Sequence, residues 1–81
     1  MRVKVFITPK TGILDPQGKA VEHALAALGF TGVASVRVGK YLELELAAQS
    51  TSEATITARA MCEQLLANTL IEDYRLEVDG A

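Results

Sequence analysis

The sequence has few of the residue types that build catalytic, metal or disulfide sites. Among its 81 residues there are one cysteine, one histidine and no tryptophan. A lone cysteine forms no internal disulfide and builds no cysteine-based metal site, and it fits a reducing compartment. The composition therefore argues against disulfide-stabilised secreted proteins and against zinc-cluster proteins.

Positive charge and long apolar runs are also lacking. The formal net charge is -2, so the chain lacks the positive field on which binding to nucleic acid or to an anionic membrane depends. No apolar run approaches the ~18 residues of a membrane span, and Lys4 and Pro9 interrupt the apolar N-terminal segment. We therefore expect a cytoplasmic protein that binds neither nucleic acid nor membranes.

What the sequence does contain is the composition of a small folded domain. Apolar residues make up 49% of the chain, which separates it from disordered proteins. Its length suits one domain over residues 1–81. A domain of this size removes only about 60% of its unfolded surface from water, and oligomerisation is a common remedy. We therefore expect self-association.

The hydrophobic periodicity predicts three or four strands and two helices. Alternation of apolar and polar residues marks strands, whereas Asp15–Pro16 and the Ser50/Glu53 capping box mark helix starts. Between Val36 and Leu46 the alternation never slips, which fits either one long strand bent at Gly39 or two short strands around it; we favour the first. The predicted elements are a strand over 2–8, a helix over 16–28, the strand or strands over 36–46, a helix over 51–67 and a strand over 74–78.

This element order predicts an α+β fold. Both helices are expected to cover one face of an antiparallel sheet in a two-layer sandwich, ferredoxin-like or close to it. Each helix has an apolar stripe that would face the sheet. The stripes are Val21, Ala24, Leu25 and Leu28 in the first helix, and Ala54, Ala58, Met61, Cys62 and Leu65 in the second.

No residue of the chain is predicted to perform catalysis or to bind a cofactor or a metal ion. His23 lies on its helix opposite the apolar stripe, without a serine or acid pattern around it, so we expect a solvated side chain. Cys62 lies at the flank of the buried stripe of the second helix, so we expect an inert structural thiol. Gly12 and Gly18 lack the spacing of a phosphate-binding loop.

The residues that remain are candidates for contacts between subunits. Phe6 and Tyr41 share the uncovered face of the predicted sheet, and Ile56 and Ala60 form a second apolar stripe on the outer side of the second helix. The bend at Gly39 is expected to project two cations beside Tyr41, a composition enriched in binding hot spots. The candidate interface residues are Phe6, Arg37, Lys40, Tyr41, Ile56 and Ala60.

Several segments in order along the chain resemble the PurS family, the small subunits of phosphoribosylformylglycinamidine synthase. The stretches around Leu14 to Gly18 and Arg37 to Leu44 are fairly specific to that family. The likeness extends over nearly the full length. The segments that carry it are residues 3–7, 12–20, 27–30, 36–44, 61–68 and 71–75.

The resemblance implies a PurS-like fold and a role in purine biosynthesis. In such a complex a glutaminase subunit frees ammonia from glutamine, and a synthetase subunit that binds ATP and Mg²⁺ activates the substrate amide for attack. The small subunit joins the two, self-associates as a dimer or tetramer and holds no cofactor. The alternative is a regulatory domain of ferredoxin-like architecture that senses a small metabolite near residues 12–18. An RNA-binding sheet is excluded because the net charge is negative and because only two aromatics, Phe6 and Tyr41, point outward from the sheet.

Overall fold

The computed structural model describes residues 1–79 and shows an antiparallel sheet with two helices. The strands lie in the order β2-β1-β3, and both pairings are antiparallel. This confirms the α+β class. The elements are β1 (Arg2–Pro9), α1 (Pro16–Ala27), β2 (Lys40–Glu45), α2 (Thr51–Met61), a π-helical turn (Cys62–Leu66) and β3 (Glu72–Asp79).

The core lies between the central strand and α2. On β1 the inward side chains are apolar and fully buried, and the residues of α2 that meet them are small, so the helix approaches the sheet closely. Flanking side chains of β2 and β3 are half-buried. The fully buried residues are Val3, Val5, Ile7, Ala54, Ala58 and Cys62.

Both helix starts are capped as the sequence predicts. The Asp15 side chain accepts a hydrogen bond from the Gly18 N–H at 2.9 Å, and Ser50 Oγ accepts from the Glu53 N–H at 3.1 Å. Glu53 in turn accepts from the N–H of Gln49 at 3.0 Å, one residue before the expected partner. These side chains satisfy backbone donors that have no partner within the helix.

The end of the second helix differs from the prediction. A π-helical turn, closed by a hydrogen bond from Ala67 N to Cys62 O at 3.0 Å, replaces the expected α-helical geometry. Because its hydrogen bonds span five residues instead of four, the turn rotates the following side chains. Leu65, expected in the core, is therefore 82% exposed, whereas Leu66 is half-buried and Ala67 is buried.

The first helix does not pack as expected. Of the two helices, only α2 lies over the sheet, where it contacts β1 and β3, and within residues 1–79 α1 has no comparable contact with any strand or with α2. The molecule is consequently elongated. Its radius of gyration is 16.0 Å, against about 12 Å for a compact chain of this length. In a single chain the helical layer of the sandwich therefore consists of α2 alone.

Gly39 marks the place where the chain enters the sheet. Residues 30–39 have no regular secondary structure and β2 begins at Lys40, opposite Ile7, so two short strands around Gly39 are not formed. The favoured long strand is present in the sheet only in its second half. A Cβ at Gly39 would overlap the carbonyl oxygen of Ile7. Glycine is required here because the two backbones approach so closely.

We predict that Gly39→Ala destabilises the fold by ~1–3 kcal/mol, the usual cost of overpacking a site that cannot yield. The obstructing atom belongs to the backbone of the central strand, so relief would disturb the pairing of Lys40 with Ile7. Urea unfolding followed by circular dichroism measures the loss. Ser35→Ala, an exposed substitution in the same segment, is the control and should stay within about 0.5 kcal/mol of wild type. An equal effect of both variants would contradict the steric explanation.

Candidate subunit interfaces

The face of the sheet opposite α2 carries a stacked group of three side chains. Phe6 on β1 lies in register between Tyr41 on β2 and Arg75 on β3. The two rings tilt by 42° with centroids 5.0 Å apart, and the Arg75 guanidinium carbon lies 4.2 Å from the centre of the Phe6 ring. Aromatic and cation–π contacts of this geometry orient the side chains on the surface.

The polar groups of Tyr41 and Arg75 each contact a glutamate on the same strand. Arg75 Nη1 lies 2.5 Å from Glu77 Oε1, and the Tyr41 hydroxyl donates to Glu43 at 2.9 Å. Partial burial, reinforced by the hydrogen bond to the Glu43 carboxylate, raises the pKa of Tyr41 above its ordinary value. A face rich in tyrosine and arginine with compensated charge is suited to another protein surface.

Arg37 and Lys40 do not join Tyr41 in one patch, contrary to the sequence-based interpretation. Lys40 Nζ lies 3.5 Å from the Leu66 carbonyl oxygen and 3.7 Å from Glu72, at the end of the layer that contains α2. Arg37 is exposed in the segment before β2. Successive residues of a strand point to opposite faces, which separates Lys40 from Tyr41. Arg75 takes the place expected for these cations, because the pairing of β3 with β1 puts it opposite Phe6. The local sequence pattern did not predict which strands are neighbours.

The outer side of α2 is a separate apolar surface. Ile56 is 69% exposed, and Ala60, one helical turn further on, is also exposed. Their positions agree with the predicted second stripe. This surface lies in the other layer from the Phe6 group, so the two candidate surfaces are available to different partners.

A third surface belongs to the arm, which we define as residues 10–39 and which comprises the loop after β1, helix α1 and the segment before β2. Within the arm most apolar side chains are exposed. They include Val21, Ala24 and Leu28 of the stripe predicted to face the sheet, whereas Leu25 of that stripe is half-buried. Leu14 is 77% and Leu28 is 74% exposed. The other strongly exposed apolar residues of the arm are Ile13, Val21, Phe30 and Val33.

Asp15 holds the arm in a defined shape. One carboxylate oxygen accepts from Gly18 N at 2.9 Å and the other from Val38 N at 2.8 Å. These two N–H groups, the Gly18 contribution being the larger, hold the pKa of Asp15 below its usual value. At Gly18 a Cβ would overlap the carbonyl oxygen of Val36. The start of α1 and the segment before β2 are therefore in direct contact.

The expected metabolite site near residues 12–18 gains no support from this geometry. A cavity of about 360 Å³ lies there, lined in part by Lys10, Lys19 and Arg37. Lys10 is already paired with Asp73 at 3.4 Å, and Lys19 with Glu22 at 3.6 Å. The start of α1, where an anion would bind, is filled by the carboxylate of Asp15.

The single histidine and cysteine lie apart. His23 is exposed on α1. Cys62 is buried, and burial, together with the neighbouring Glu63 carboxylate, raises the pKa of its thiol, which disfavours the reactive thiolate. Residues 1–79 contain no cluster of three or more histidine, cysteine, aspartate or glutamate residues arranged for a metal ion. None of the helices in this range is long and apolar enough to cross a membrane.

Comparison with known proteins identifies the family. The model of the family described as PurS, phosphoribosylformylglycinamidine (FGAM) synthase, matches residues 2–80. The chain belongs to the PurS family. It is 49% identical over 78 residues to the PurS subunit of phosphoribosylformylglycinamidine synthase from Bacillus subtilis, covering 96% of this chain and 92% of that protein. The family resemblance found in the sequence is thus confirmed.

Solved PurS structures share the fold. The Bacillus subtilis PurS structure has a TM-score of 0.85 at 49% identity, covering 96% of both chains. PurS from Methanocaldococcus jannaschii has a TM-score of 0.88 at 31% identity, covering 99% of this chain and 96% of that one. A structure of PurLQS from Thermotoga maritima matches with a TM-score of 0.86 at 26% identity over 94% of this chain and 93% of that one. These matches extend over almost the whole length of the chain.

The depressed pKa of Asp15 predicts acid sensitivity of the arm. Because this pKa is lower in the folded state, the stabilisation is complete above the ordinary value of 3.8 and is lost as pH falls through and below it. The protection factor of the Val38 amide, its exchange rate relative to that of the unstructured chain at the same pH, should therefore fall in that range. Asp15→Asn should show the lower protection factor already at neutral pH, with little further change on acidification.

The control for this experiment is an amide of the central strand, Val5, which lies far from Asp15 in the paired sheet. If Val38 protection followed the same pH profile as Val5, the loss would reflect global unfolding. A profile for Asp15→Asn identical to that of wild type would show that the carboxylate does not hold the arm.

Proposed function

We propose that this chain is the small, non-catalytic subunit of a phosphoribosylformylglycinamidine synthase in cytoplasmic de novo purine biosynthesis. The observation that carries the proposal is the match to the PurS family over residues 2–80. The PurLQS structure among its neighbours supports a place in a multi-subunit assembly. Its partners are a glutaminase subunit and a synthetase subunit, and ATP and Mg²⁺ bind in the synthetase partner and not in this chain.

The role of the chain is to hold the two larger subunits in a fixed arrangement. Ammonia released from glutamine escapes into solvent unless the glutaminase and the synthetase sites keep a constant geometry, and positioning of reactants contributes strongly to rate. The chain supplies separate surfaces for this purpose: the Phe6–Tyr41–Arg75 face, the outer side of α2, and the arm. The first of these is the surface we assign to a larger subunit.

Self-association belongs to the same proposal. The chain forms a dimer, or a tetramer built from dimers, because one copy leaves the arm and half of the sandwich uncovered. Exposed apolar surface of this extent is typical of protein interfaces. Sedimentation that gave only an ~9 kDa species, the mass of one chain of this length, would contradict it.

Reconstitution tests the joining role directly. Separately purified glutaminase and synthetase subunits should form the amidine product from glutamine only poorly, and addition of this chain should restore glutamine-dependent turnover. Ammonia supplied in place of glutamine should bypass part of the requirement, since the synthetase no longer depends on delivery. Full glutamine-dependent activity without this chain would contradict the proposed joining role.

The surface assigned to a larger subunit is tested in the same assay. Arg75→Ala should raise the concentration of this chain needed for half-maximal activity by ~10-fold or more, as expected of an interfacial arginine. Lys19→Ala is a matched control, because the two side chains are exposed to nearly the same degree, 63% and 61%. Equal behaviour of the two variants would remove the Phe6–Tyr41–Arg75 face from the interface.

The non-catalytic character is tested by the two residues most able to do chemistry. His23→Ala and Cys62→Ala should leave the reconstituted turnover within a few-fold of wild type, since His23 is solvent-exposed and Cys62 is buried. Circular dichroism confirms that each variant is folded. A loss on the order of 10³-fold in a folded variant, the scale of a deleted catalytic group, would reveal an active site in this chain.

A further inference from the structure

The uncovered face of the sheet holds an arginine between a ring and a carboxylate on its β3 side. The guanidinium carbon of Arg75 lies 4.2 Å from the centre of the Phe6 ring, and its Nη1 contacts Glu77, two residues further along the strand. Arginine suits such a place, because its flat guanidinium is attracted to an aromatic face while its N–H groups bond to a carboxylate. The β3 side of the face is therefore complete within one chain.

The β2 side of the same face has a ring and a carboxylate but no arginine. Tyr41 lies opposite Phe6, and Glu43 follows two residues later on the same face. The Tyr41 hydroxyl donates to Oε1 of Glu43 at 2.9 Å, so the second carboxylate oxygen keeps its acceptor sites. The Tyr41 side is open to a partner, because this residue is 50% exposed.

The cations of β1 beside Glu43 contact other carboxylates instead. Arg2 Nε lies 2.8 Å from Glu45 Oε1, and Lys4 Nζ lies 3.8 Å from Asp79 Oδ2, across the sheet. Among residues 1–79 no cation lies within 4 Å of the Glu43 carboxylate. Glu43 is therefore an exposed anion beside an aromatic ring, and no side chain of the described residues neutralises it by contact.

The position of Glu43 suits an organic cation and not a metal ion. The carboxylate of Glu77 belongs to the strand beyond Lys4, two strand spacings or about 9.5 Å away. Residues 1–79 contain no group of three or more potential ligands gathered for a metal ion. A guanidinium fits better than an ammonium, because it stacks on a ring and bonds a carboxylate at the same time.

We propose that an arginine of one of the larger subunits binds beside Tyr41 and Glu43, with its guanidinium against the ring and its N–H groups donating to the carboxylate. The proposal rests on the joining role and on the assignment of this face to a larger subunit, and it names the chemical group that the face receives. Arg75 provides the template, since it makes the same two contacts with Phe6 and Glu77 on the other side of the face. The partner surface is therefore basic where it meets β2.

A second copy of this chain has few arginines to offer. Arg2 and Arg75 already contact carboxylates of the same face, and Arg59 hydrogen-bonds to the Tyr74 hydroxyl in the layer of α2. The remaining arginine of the chain is Arg37, which lies in the arm. A larger subunit is therefore the occupant, and the footprinting experiment below distinguishes it from a second copy.

Glu43→Gln tests the charge pair, because glutamine keeps an acceptor for the Tyr41 hydroxyl and removes the charge. In the reconstituted assay, the concentration of this chain needed for half-maximal glutamine-dependent turnover should rise by ~10-fold or more, since the partner arginine would lose its counter-ion. Glu45→Gln is the matched control. It removes the same charge from the same strand and face, but its carboxylate already bonds Arg2, so the requirement should stay within about 2-fold of wild type.

The outcomes separate this contact from the joining role. A wild-type requirement in Glu43→Gln, or an equal rise in Glu45→Gln, would overturn the proposal while leaving the joining role intact. Failure of the wild-type chain to restore glutamine-dependent turnover would contradict the joining role, and the proposal with it. Circular dichroism establishes that both variants are folded.

Chemical footprinting identifies the arginine itself. Phenylglyoxal modifies exposed guanidinium groups, and mass spectrometry locates the product in each subunit of the complex. With this chain at saturating concentration, one arginine of the glutaminase or synthetase subunit should be protected by wild type and by Glu45→Gln, and should react several-fold faster with Glu43→Gln. The absence of such an arginine would overturn the proposal. Protection of Arg37 in the oligomer of this chain alone, lost in Glu43→Gln, would overturn it in favour of a second copy.

Discussion

The structure depends on the carboxylate of Asp15, which accepts hydrogen bonds from two backbone N–H groups that lie 20 residues apart in the sequence, those of Gly18 and Val38. Asp15 begins α1 by accepting from Gly18 and, through its second oxygen, accepts from Val38 just before the chain enters the sheet. Charge-assisted hydrogen bonds of this kind are stronger than neutral ones. Because Gly18 and Gly39 are each pressed against backbone carbonyl groups, the position of α1 is fixed by close contacts at both ends of this junction and not by a hydrophobic core.

That constraint explains why the chain has an α+β sequence pattern without a complete α+β sandwich. Packing of α1 on its own sheet would bury the stripe around Leu28, yet the junction holds the helix elsewhere. Because α1 is held away from the sheet, its apolar side chains stay exposed to water. The hydrophobic stabilisation that their burial would give is missing, and the net stability of a small domain is low. Association with other copies and other subunits is therefore part of the energetics of folding.

Local features of this fold were predictable from the sequence, and long-range ones were not. The caps at Asp15 and Ser50 and the alternation along β1 and β3 depend on neighbouring residues, so their patterns are visible in the chain. The exposure of Leu65 was not predictable, since one hydrogen bond of π type reverses which leucine faces inward. The placement of α1 depends on a contact between residues 15 and 38, and periodicity carries no information about it.

The same distinction applies to the interfaces. The alternation along the strands correctly placed Phe6 beside Tyr41 on the uncovered face. Lys40, which was expected beside Tyr41, lies on the other face, because successive residues of a strand point to opposite sides. Arg75 joins the aromatic pair because antiparallel pairing puts β3 next to β1. Binding surfaces on a small α+β domain thus arise where register brings side chains from three strands together. In the role proposed above, the chain acts through the geometry that such surfaces impose on larger partners.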